Sequence, residues 1–307
     1  MALRVGIVGM GLMGQAFISN MRKSGFSVQG FDIDPKRMDE LKSMGGRPVE
    51  SPAAAAKGVQ WLIISLPNSG IVRTAVFGAA GIVEGAQEGL YIADTTTSRP
   101  EDSESLFREL AGHGIRFLDA AVSGTSTMAR AKDLIVIAGG NKEDFEASRP
   151  VFEGFSRAAY YMGPAGSGAR TKLVINLVLA GNRLALAEGL VLGEKAGIEL
   201  KNLLAVLQDG ASSSKTMFEK GPKMIDADYS KQSPITTAVK DSRLIIEQGQ
   251  RFGSPLLLTN IWAQLVQAAH EKGYAEKDSI AYIEILRGMA GLAERVGIDD
   301  EPFGKID

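Results

Sequence analysis

The sequence predicts an α/β chain in two parts. A doubly wound, mostly parallel sheet is expected over residues 1–163, and an all-α part over residues 164–307, built on one long interdomain helix. Three observations carry this expectation. Short apolar runs alternate with helical patterns through the first half. The opening run leads straight into a spaced set of glycines. After Gly163 the strand signals stop and only helix-length periodic segments follow.

Residues 3–8 read as a buried strand, Gly9, Gly11 and Gly14 form G-x-G-x-x-G, and residues 15–23 continue as a helix. A strand, a tight turn and a helix N-terminus in that order can hold a pyrophosphate. Gly9 makes the turn, Gly11 lets the backbone approach the phosphates, and Gly14 lets helix and strand pack closely. The second strand, Ser27–Phe31, ends in Asp32, eighteen residues after Gly14. An acid there bonds both ribose hydroxyls of adenosine and repels a 2′-phosphate. The first half therefore reads as a Rossmann-type dinucleotide-binding domain. NAD is the expected cofactor, with NADP left open by the nearby Lys36 and Arg37.

A helix over residues 35–44 comes next. The strand at 60–65 is followed by Leu66-Pro67-Asn68, and the strand at 90–93 by Asp94-Thr95-Thr96-Thr97. A helix over 99–111 leads to a strand at 115–118, with later strands at 134–138 and 157–161. Ligands sit at the carboxyl ends of such strands. Leu66-Pro67, residues 95–97 and Ser123-Gly124 are thus expected along one crevice. Residues 166–197 read as one long helix, apolar on most faces, expected to be buried between domains or against a second subunit. Helices at 200–208, 213–220, 235–250, 256–270 and 279–287 follow, and the polar tail from Asp299 is expected to be loosely ordered. No internal repeat of short period is visible.

Composition narrows the function. A chain of 307 residues with 45% hydrophobic content has room for two domains, and a net charge of −2 offers nothing to nucleic acid. With no cysteine, disulfides, thiolate catalysis and most structural zinc sites are excluded, no metal is expected, and a reducing, cytoplasmic setting is. The glycine-rich start lacks the helical core and cleavage site of a signal peptide. No apolar stretch is expected to span a membrane; the nearest, residues 173–187, is interrupted by Asn176, Asn182 and Arg183. The two histidines, His113 and His270, read as surface residues, too few for a zinc or His/Asp dehydrogenase. Tyr91, Tyr160, Tyr161, Tyr229, Tyr274 and Tyr282 all lack a lysine four positions on, which excludes a Tyr-x-x-x-Lys pair. The acid/base is to be sought among Lys, Asp and Glu.

Lys172 and Asn176 stand at i and i+4 near the start of the long helix, on one face, where the crevice is expected. A lysine desolvated beside an oxidised nicotinamide has its pKa drawn toward neutrality, as a general base requires. Asn176 is able to orient a hydroxyl or carbonyl oxygen. The spacing alone fits a solvated lysine and a helix-interior asparagine as well. Ser123-Gly124-Thr125 offers backbone N–H groups and a hydroxyl to a carboxylate, though a purely structural turn has the same form. Lys240-Asp241, read alone, is a surface ion pair.

Together these segments resemble the β-hydroxyacid dehydrogenase family over nearly the whole chain. Gly9-Met10-Gly11-Leu12-Met13-Gly14 resembles its nucleotide signature, and Asp94-x-Thr96-Thr97-x-x-Pro100 is similar to its D-x-S-T-x-x-P segment. Asp119-Ala-Ala-Val122-Ser123-Gly124 resembles its D-A-P-V-S-G substrate segment. Gly166-x-Gly168-x-x-x-Lys172-x-x-x-Asn176 matches its catalytic motif, and Lys240-Asp241 is similar to its K-D-L segment. The resemblance implies Lys172 as acid/base, Asn176 positioning substrate, and Ser123, Gly124 and neighbouring Thr125 at the substrate carboxylate. It further implies Leu66, Pro67 and Thr97 beside the cofactor and Lys240 near the nicotinamide ribose or substrate. Hydride passes between substrate and nicotinamide in such enzymes.

Several positions depart from the family pattern: Ala121 for Pro, Thr125 and Lys132 for Gly, Ile175 for Asn, and Lys215 for Trp. They leave the reaction class intact and open the identity of the substrate, with Lys215 and Ser212 to Ser214 as further pocket candidates. The leading expectation is an NAD-dependent oxidoreductase acting on a small carboxylate-bearing hydroxy acid or semialdehyde, assembled as a homodimer or homotetramer. An NADPH-dependent succinic or tartronate semialdehyde or glyoxylate reductase uses the same residues in reverse. A decarboxylating 6-phosphogluconate dehydrogenase has a far longer α-domain, and an imine reductase usually replaces the lysine. A non-catalytic nucleotide sensor has no need of Lys172.

Overall fold

The computed structural model describes residues 3–295, so the expectation for the tail beyond Asp299 lies outside the described residues. Contacts divide the chain into two compact units, Met1–Leu173 and Val174–Asp307. In the first unit the chain runs β1 (Arg4–Val8), α1 (Leu12–Lys23), β2 (Ser27–Phe31), α2 (Pro35–Ser43), β3 (Arg47–Pro48), α3 (Pro52–Ala56), β4 (Trp61–Ile64), α4 (Ser69–Phe77) and α5 (Ile82–Gly85). It continues through β5 (Tyr91–Asp94), α6 (Pro100–Ala111), β6 (Arg116–Ser123), α7 (Ser126–Arg130), β7 (Ile135–Gly139), α8 (Lys142–Phe155) and β8 (Ala158–Tyr161). The strand order is β3-β2-β1-β4-β5-β6-β7-β8, parallel throughout except for the antiparallel β6–β7 pair. The order reverses at β1, which puts the topological switch point at its carboxyl end.

Side-chain alternation along the strands builds two cores. Val5, Ile7, Ile63, Ala93, Leu118, Ala120 and Val122 share one face with Phe17 and Met21 of α1 and Phe152 and Phe155 of α8. Val8, Leu62, Ile64, Ile92 and Phe117 share the other with Val72 and Val76 of α4 and Leu106 and Leu110 of α6. Each large apolar side chain so buried contributes about 2 kcal/mol. Helices on both faces make the sheet doubly wound, as the alternating pattern predicts.

The structure adds α4 and α8, which the sequence reading passes over. The α8 interior holds Pro150, normally a helix breaker. The Asn68 cap of α4, whose Oδ1 accepts the Ile71 N–H at 3.0 Å, was a readable start signal. Strand β6 runs five residues past its expected end, because the antiparallel partner β7 pairs from Asp119 to Ser123.

Helix α9 (Ser167–Lys195) begins in the first unit and continues into the second. There α10 (Leu200–Asp209), α11 (Lys215–Ile225), α12 (Ile235–Arg251), α13 (Leu257–Ala269) and α14 (Ile283–Met289) follow. The expected helix at 279–287 divides into a 3₁₀ turn, Ser279–Tyr282, and α14. A buried ion pair, Lys220 Nζ to Asp278 Oδ1 at 3.0 Å, ties α11 to the segment before that turn. The expectation that no apolar stretch reaches membrane-spanning length needs correction for α9. With 29 residues and a window of mean hydropathy 1.4, it is long and apolar enough to cross a membrane by length and composition alone; its three polar breaks are too few to lower the window. Within one chain it is buried along one face only. Ala180, Leu184, Ala187 and Val191 are buried at helical spacing, while Val178 is 52% and Leu192 71% exposed. Hydrogen bonds from Asn176 to Asp241 and from Arg183 to Ser279 fasten it within the helical unit.

The sheet buries two carboxylates side by side, Asp94 of β5 in register with Asp119 of β6. Burial pushes the Asp94 carboxyl up to about 7, opposed by hydrogen bonds from Thr96 and reinforced by the charge of Asp119. Burial likewise raises Asp119 to about 6 against the pull of backbone N–H groups from Ala169 and Gly166. In the unfolded chain both titrate near ~3.9. Their contribution to stability is complete below that value and is lost as pH rises through about 6 to 7. Asparagine keeps an acceptor for the Thr96 N–H without titrating. Asp94→Asn is therefore expected to gain melting temperature over wild type on going from about pH 5 to about pH 8. A pH-independent difference between the two proteins, measured by calorimetry, would contradict the assigned ionisation.

Candidate active site

The loop after β1 is set by backbone crowding. Gly9 has φ +92°, and a Cβ there would lie 2.2 Å from the Ser65 carbonyl oxygen; one on Gly14 would lie 2.3 Å from that of Gly9. Gly11 differs, because a Cβ there meets nothing within 4 Å. It is also the N-cap of α1, with no side chain capping the first turn. An open helix N-terminus with an uncrowded glycine fits a pyrophosphate. Asp32 sits beside this loop: its Oδ2 accepts the Met10 N–H at 2.6 Å and its Oδ1 the Asp34 N–H at 2.9 Å. The Met10 side chain is fully buried, so its backbone alone belongs to the loop, while Leu12 is exposed and Met13 half-buried.

The neighbouring strand ends are stitched together. The Ser65 N–H donates to the Val8 carbonyl at 2.9 Å, and the Leu66 N–H donates to Thr96 Oγ1 at 3.2 Å. The Thr95 hydroxyl donates to the Ile64 carbonyl at 2.7 Å. Leu66 and the residues after β5 thus lie together beside Gly9, with Pro67 exposed and Thr97 half-buried in the same two loops. The donor set, the open turn and the acid at the end of β2 fit a dinucleotide.

Farther along the sheet, Asp119, Ala121 and Ser123 alternate onto one face of β6. Gly124 has φ +144°, in the region that favours glycine. Thr125 spends its hydroxyl as the N-cap of α7, accepting the Met128 N–H at 3.3 Å. Asp119 reaches the start of α9, where Oδ1 accepts the Gly166 N–H at 2.9 Å and Oδ2 the Ala169 N–H at 2.8 Å. A Cβ on Gly168 would fall 2.3 Å from the Asp119 carbonyl and 2.6 Å from that of Ile137, so helix backbone lies directly on strand backbone. Lys172 follows Gly168 by four residues and shares its helix face.

In the second unit, Asn176 Nδ2 donates to Asp241 Oδ2 at 2.9 Å, and Lys240 Nζ lies 3.4 Å from Asp241 Oδ1. Asp241 is 9% exposed, so the pair that reads as a surface ion pair has a buried acid in it. Of the departures, Ala121 is buried within β6, Lys132 adopts φ +59°, a conformation that explains a glycine preference there, and Lys215 is exposed at the start of α11. His113 is exposed and His270 partly so. Among the described residues no group of three or more His, Cys, Asp or Glu is placed to hold a metal ion.

The sequence motifs include Asp94, Asp119 and Asp241 but do not reveal the burial of Asp94, the capping role of Asp119 or the bond from Asn176 to Asp241, and Gly139 is in none of them. A Cβ on Gly139 would meet Asp119 Oδ1 at 2.7 Å and the Gly168 nitrogen at 2.8 Å. Nothing local in sequence announces that crowding, since its partners lie about twenty and thirty residues away. The placement of Asp119 four residues before Ser123 was the one available signal.

Comparison with known proteins agrees with this geometry. Residues 4–163 match the family model described as the NAD binding domain of 6-phosphogluconate dehydrogenase. Residues 166–286 match that of the NAD-binding region of NADP-dependent 3-hydroxyisobutyrate dehydrogenase. The chain is 31% identical to glyoxylate/succinic semialdehyde reductase 1 of Arabidopsis thaliana, over 93% of this chain and 99% of that protein. It is 29% identical to 2-(hydroxymethyl)glutarate dehydrogenase of Eubacterium barkeri, over 95% and 97% of the two chains. The crystal structure of a 3-hydroxyisobutyrate dehydrogenase from Salmonella typhimurium superposes with a TM-score of 0.85 at 27% identity, covering 92% of this chain and 99% of that one. On the strength of matches that run from the first strand to the last helices, the chain belongs to the β-hydroxyacid dehydrogenase family of NAD(P)-dependent oxidoreductases.

Proposed function

We propose that the protein interconverts a small β-hydroxy acid and its semialdehyde or ketone, with Lys172 as the acid/base. The observation that carries this is the seating of α9: Lys172 rides one turn beyond Gly168, on the helix face packed against β6, whose same face ends in Ser123. The bound nicotinamide supplies or accepts the hydride. In the oxidative direction Lys172 Nζ takes the proton of the substrate hydroxyl, and in reduction it returns one to the carbonyl oxygen. Asn176, with one amide N–H committed to Asp241, orients that oxygen. Ser123 and the backbone at Gly124 and Thr125 hold the carboxylate, and Lys240 adds positive charge on the cofactor side.

Lys172→Ala is expected to lower kcat at least ~100-fold and leave NADH affinity within about twofold. The assay is a panel of 3-hydroxyisobutyrate, D-glycerate, L-serine, L-threonate, 4-hydroxybutyrate and sulfonated analogues. Turnover unchanged by the substitution rejects the assignment.

Asp32 supports NAD over NADP, since its carboxylate is pinned beside the glycine loop where a 2′-phosphate would meet it. We expect kcat/KM with NAD to exceed that with NADP by at least ~10-fold, and Asp32→Asn to narrow the ratio. The reverse preference favours the second reading, an NADPH-dependent semialdehyde reductase; the name of the Arabidopsis relative supports the semialdehyde-reductase part of it.

The apolar face of α13 supports an oligomer. Leu257 is 80%, Leu258 49% and Ile261 53% exposed, and at i, i+1 and i+4 they form an apolar stripe along one side of the helix. Light scattering is expected to give a dimer or tetramer, and Leu258→Asp to shift it toward monomer. A monomeric wild type at micromolar concentration overturns this.

A further inference from the structure

We infer that Asp119, together with the close-approach glycines Gly139 and Gly168, is a positioning residue that sets where Lys172 stands; this rests on the proposed role of Lys172. The joint has three backbones. Asp119 on β6 is 3% exposed, and its two carboxylate oxygens accept the Gly166 and Ala169 N–H groups at 2.9 and 2.8 Å. These donors stand at the start and in the first turn of α9. Two bonds from a rigid carboxylate to one helix end fix both its height along β6 and its rotation, which a single cap does not.

The glycines bring the helix into reach of that carboxylate. A Cβ on Gly168 would overlap the Asp119 and Ile137 carbonyl oxygens at 2.3 and 2.6 Å. A Cβ on Gly139 of β7 would meet Asp119 Oδ1, the Gly168 nitrogen and the Pro164 carbonyl within 2.8 Å. Any side chain at either place lifts the helix off the sheet. A second strut acts on the same turn, because Arg170 pairs with Glu104 of α6, and Gly166 packs against the Glu104 side chain.

Lys172 lies one turn past Gly168 on the same face. A helix turn advances about 5.4 Å and a two-residue strand step about 6.7 Å. The rise from Gly168 to Lys172, about 6 Å, is comparable in length to the step from Asp119 to Ala121 on the same face of β6 as Ser123. A tilt or slide at the joint is carried to the amine, and misplacement of a reacting group by about 1 Å costs up to ~100-fold in rate. The glycine loop and Asp32 lie on other strands and are untouched by such a shift.

The test compares Asp119→Asn, Gly168→Ala and Lys172→Ala in the full-length protein. NADH binding is followed by nicotinamide fluorescence, and turnover on the best substrate of the panel is expressed per NADH-binding site. Asp119→Asn and Gly168→Ala are expected to lose ~10- to 100-fold in kcat while the NADH Kd stays within about twofold. A carboxylate that merely stabilised the fold would lower the melting temperature and leave kcat per binding site unchanged, and that result overturns the inference. Should Asp119→Asn not fold, Gly168→Ala decides by the same criterion. If Lys172→Ala is inactive while the other two turn over normally, the joint loses its role and Lys172 keeps its own. If Lys172→Ala is itself active, the acid/base assignment fails first.

Discussion

A buried carboxylate holding the first turn of a helix is the interaction on which the proposed chemistry of this protein depends. Asp119 exchanges water for two backbone N–H groups of α9 and does so inside the sheet. Removing such a group leaves two buried donors unsatisfied, a penalty of about 1–3 kcal/mol each. That is large against the total stability of a domain. Burial raises the ionisation of Asp119 even so, and the two donors pull against that rise. The helix so fixed carries Lys172 one turn past Gly168, so a local electrostatic contact bears on the placement of that residue.

The same logic of absent side chains governs the nucleotide end. Gly9 and Gly14 are demanded by carbonyl oxygens closer than any Cβ tolerates, whereas around Gly11 the protein leaves room. Asp32 completes the arrangement by binding the Met10 N–H, which makes the acid part of the loop rather than a neighbour of it. Asp94, one strand from the switch-point strands, shares its buried level with Asp119. Two acids in adjacent register are costly, and hydrogen bonds to the 94–96 turn and to α9 are what keep them there.

The departures from the family pattern acquire separate meanings in three dimensions. Thr125 caps α7, its hydroxyl oxygen accepting the Met128 N–H, a role that a glycine there could not fill. Lys132 sits in a left-handed conformation that glycine adopts without strain, a local cost of order 1 kcal/mol. Ala121 leaves the middle of β6 free to pair with β7, where a proline would remove a ladder donor. Lys215, exposed at the head of α11, adds a positive charge to a surface where relatives often present an aromatic ring.

Much of the fold was legible in the residues themselves. The glycine pattern after β1, the acid closing β2 at Asp32, the alternation that ends near Gly163 and the length of α9 are local signals, because period, turn chemistry and caps act over a few residues. The i,i+4 pairing of Lys172 and Asn176 is of the same kind. Contacts distant in sequence were not legible. No local pattern joins Asp119 to Gly166, places Gly139 against Gly168, buries Asp241 beneath Asn176, or extends β6 through an antiparallel partner. Local sequence marked most of the elements and the motifs that the proposed chemistry uses. Tertiary structure alone decided how near those elements come, because closeness depends on what two remote segments jointly leave empty and on which polar groups each satisfies for the other.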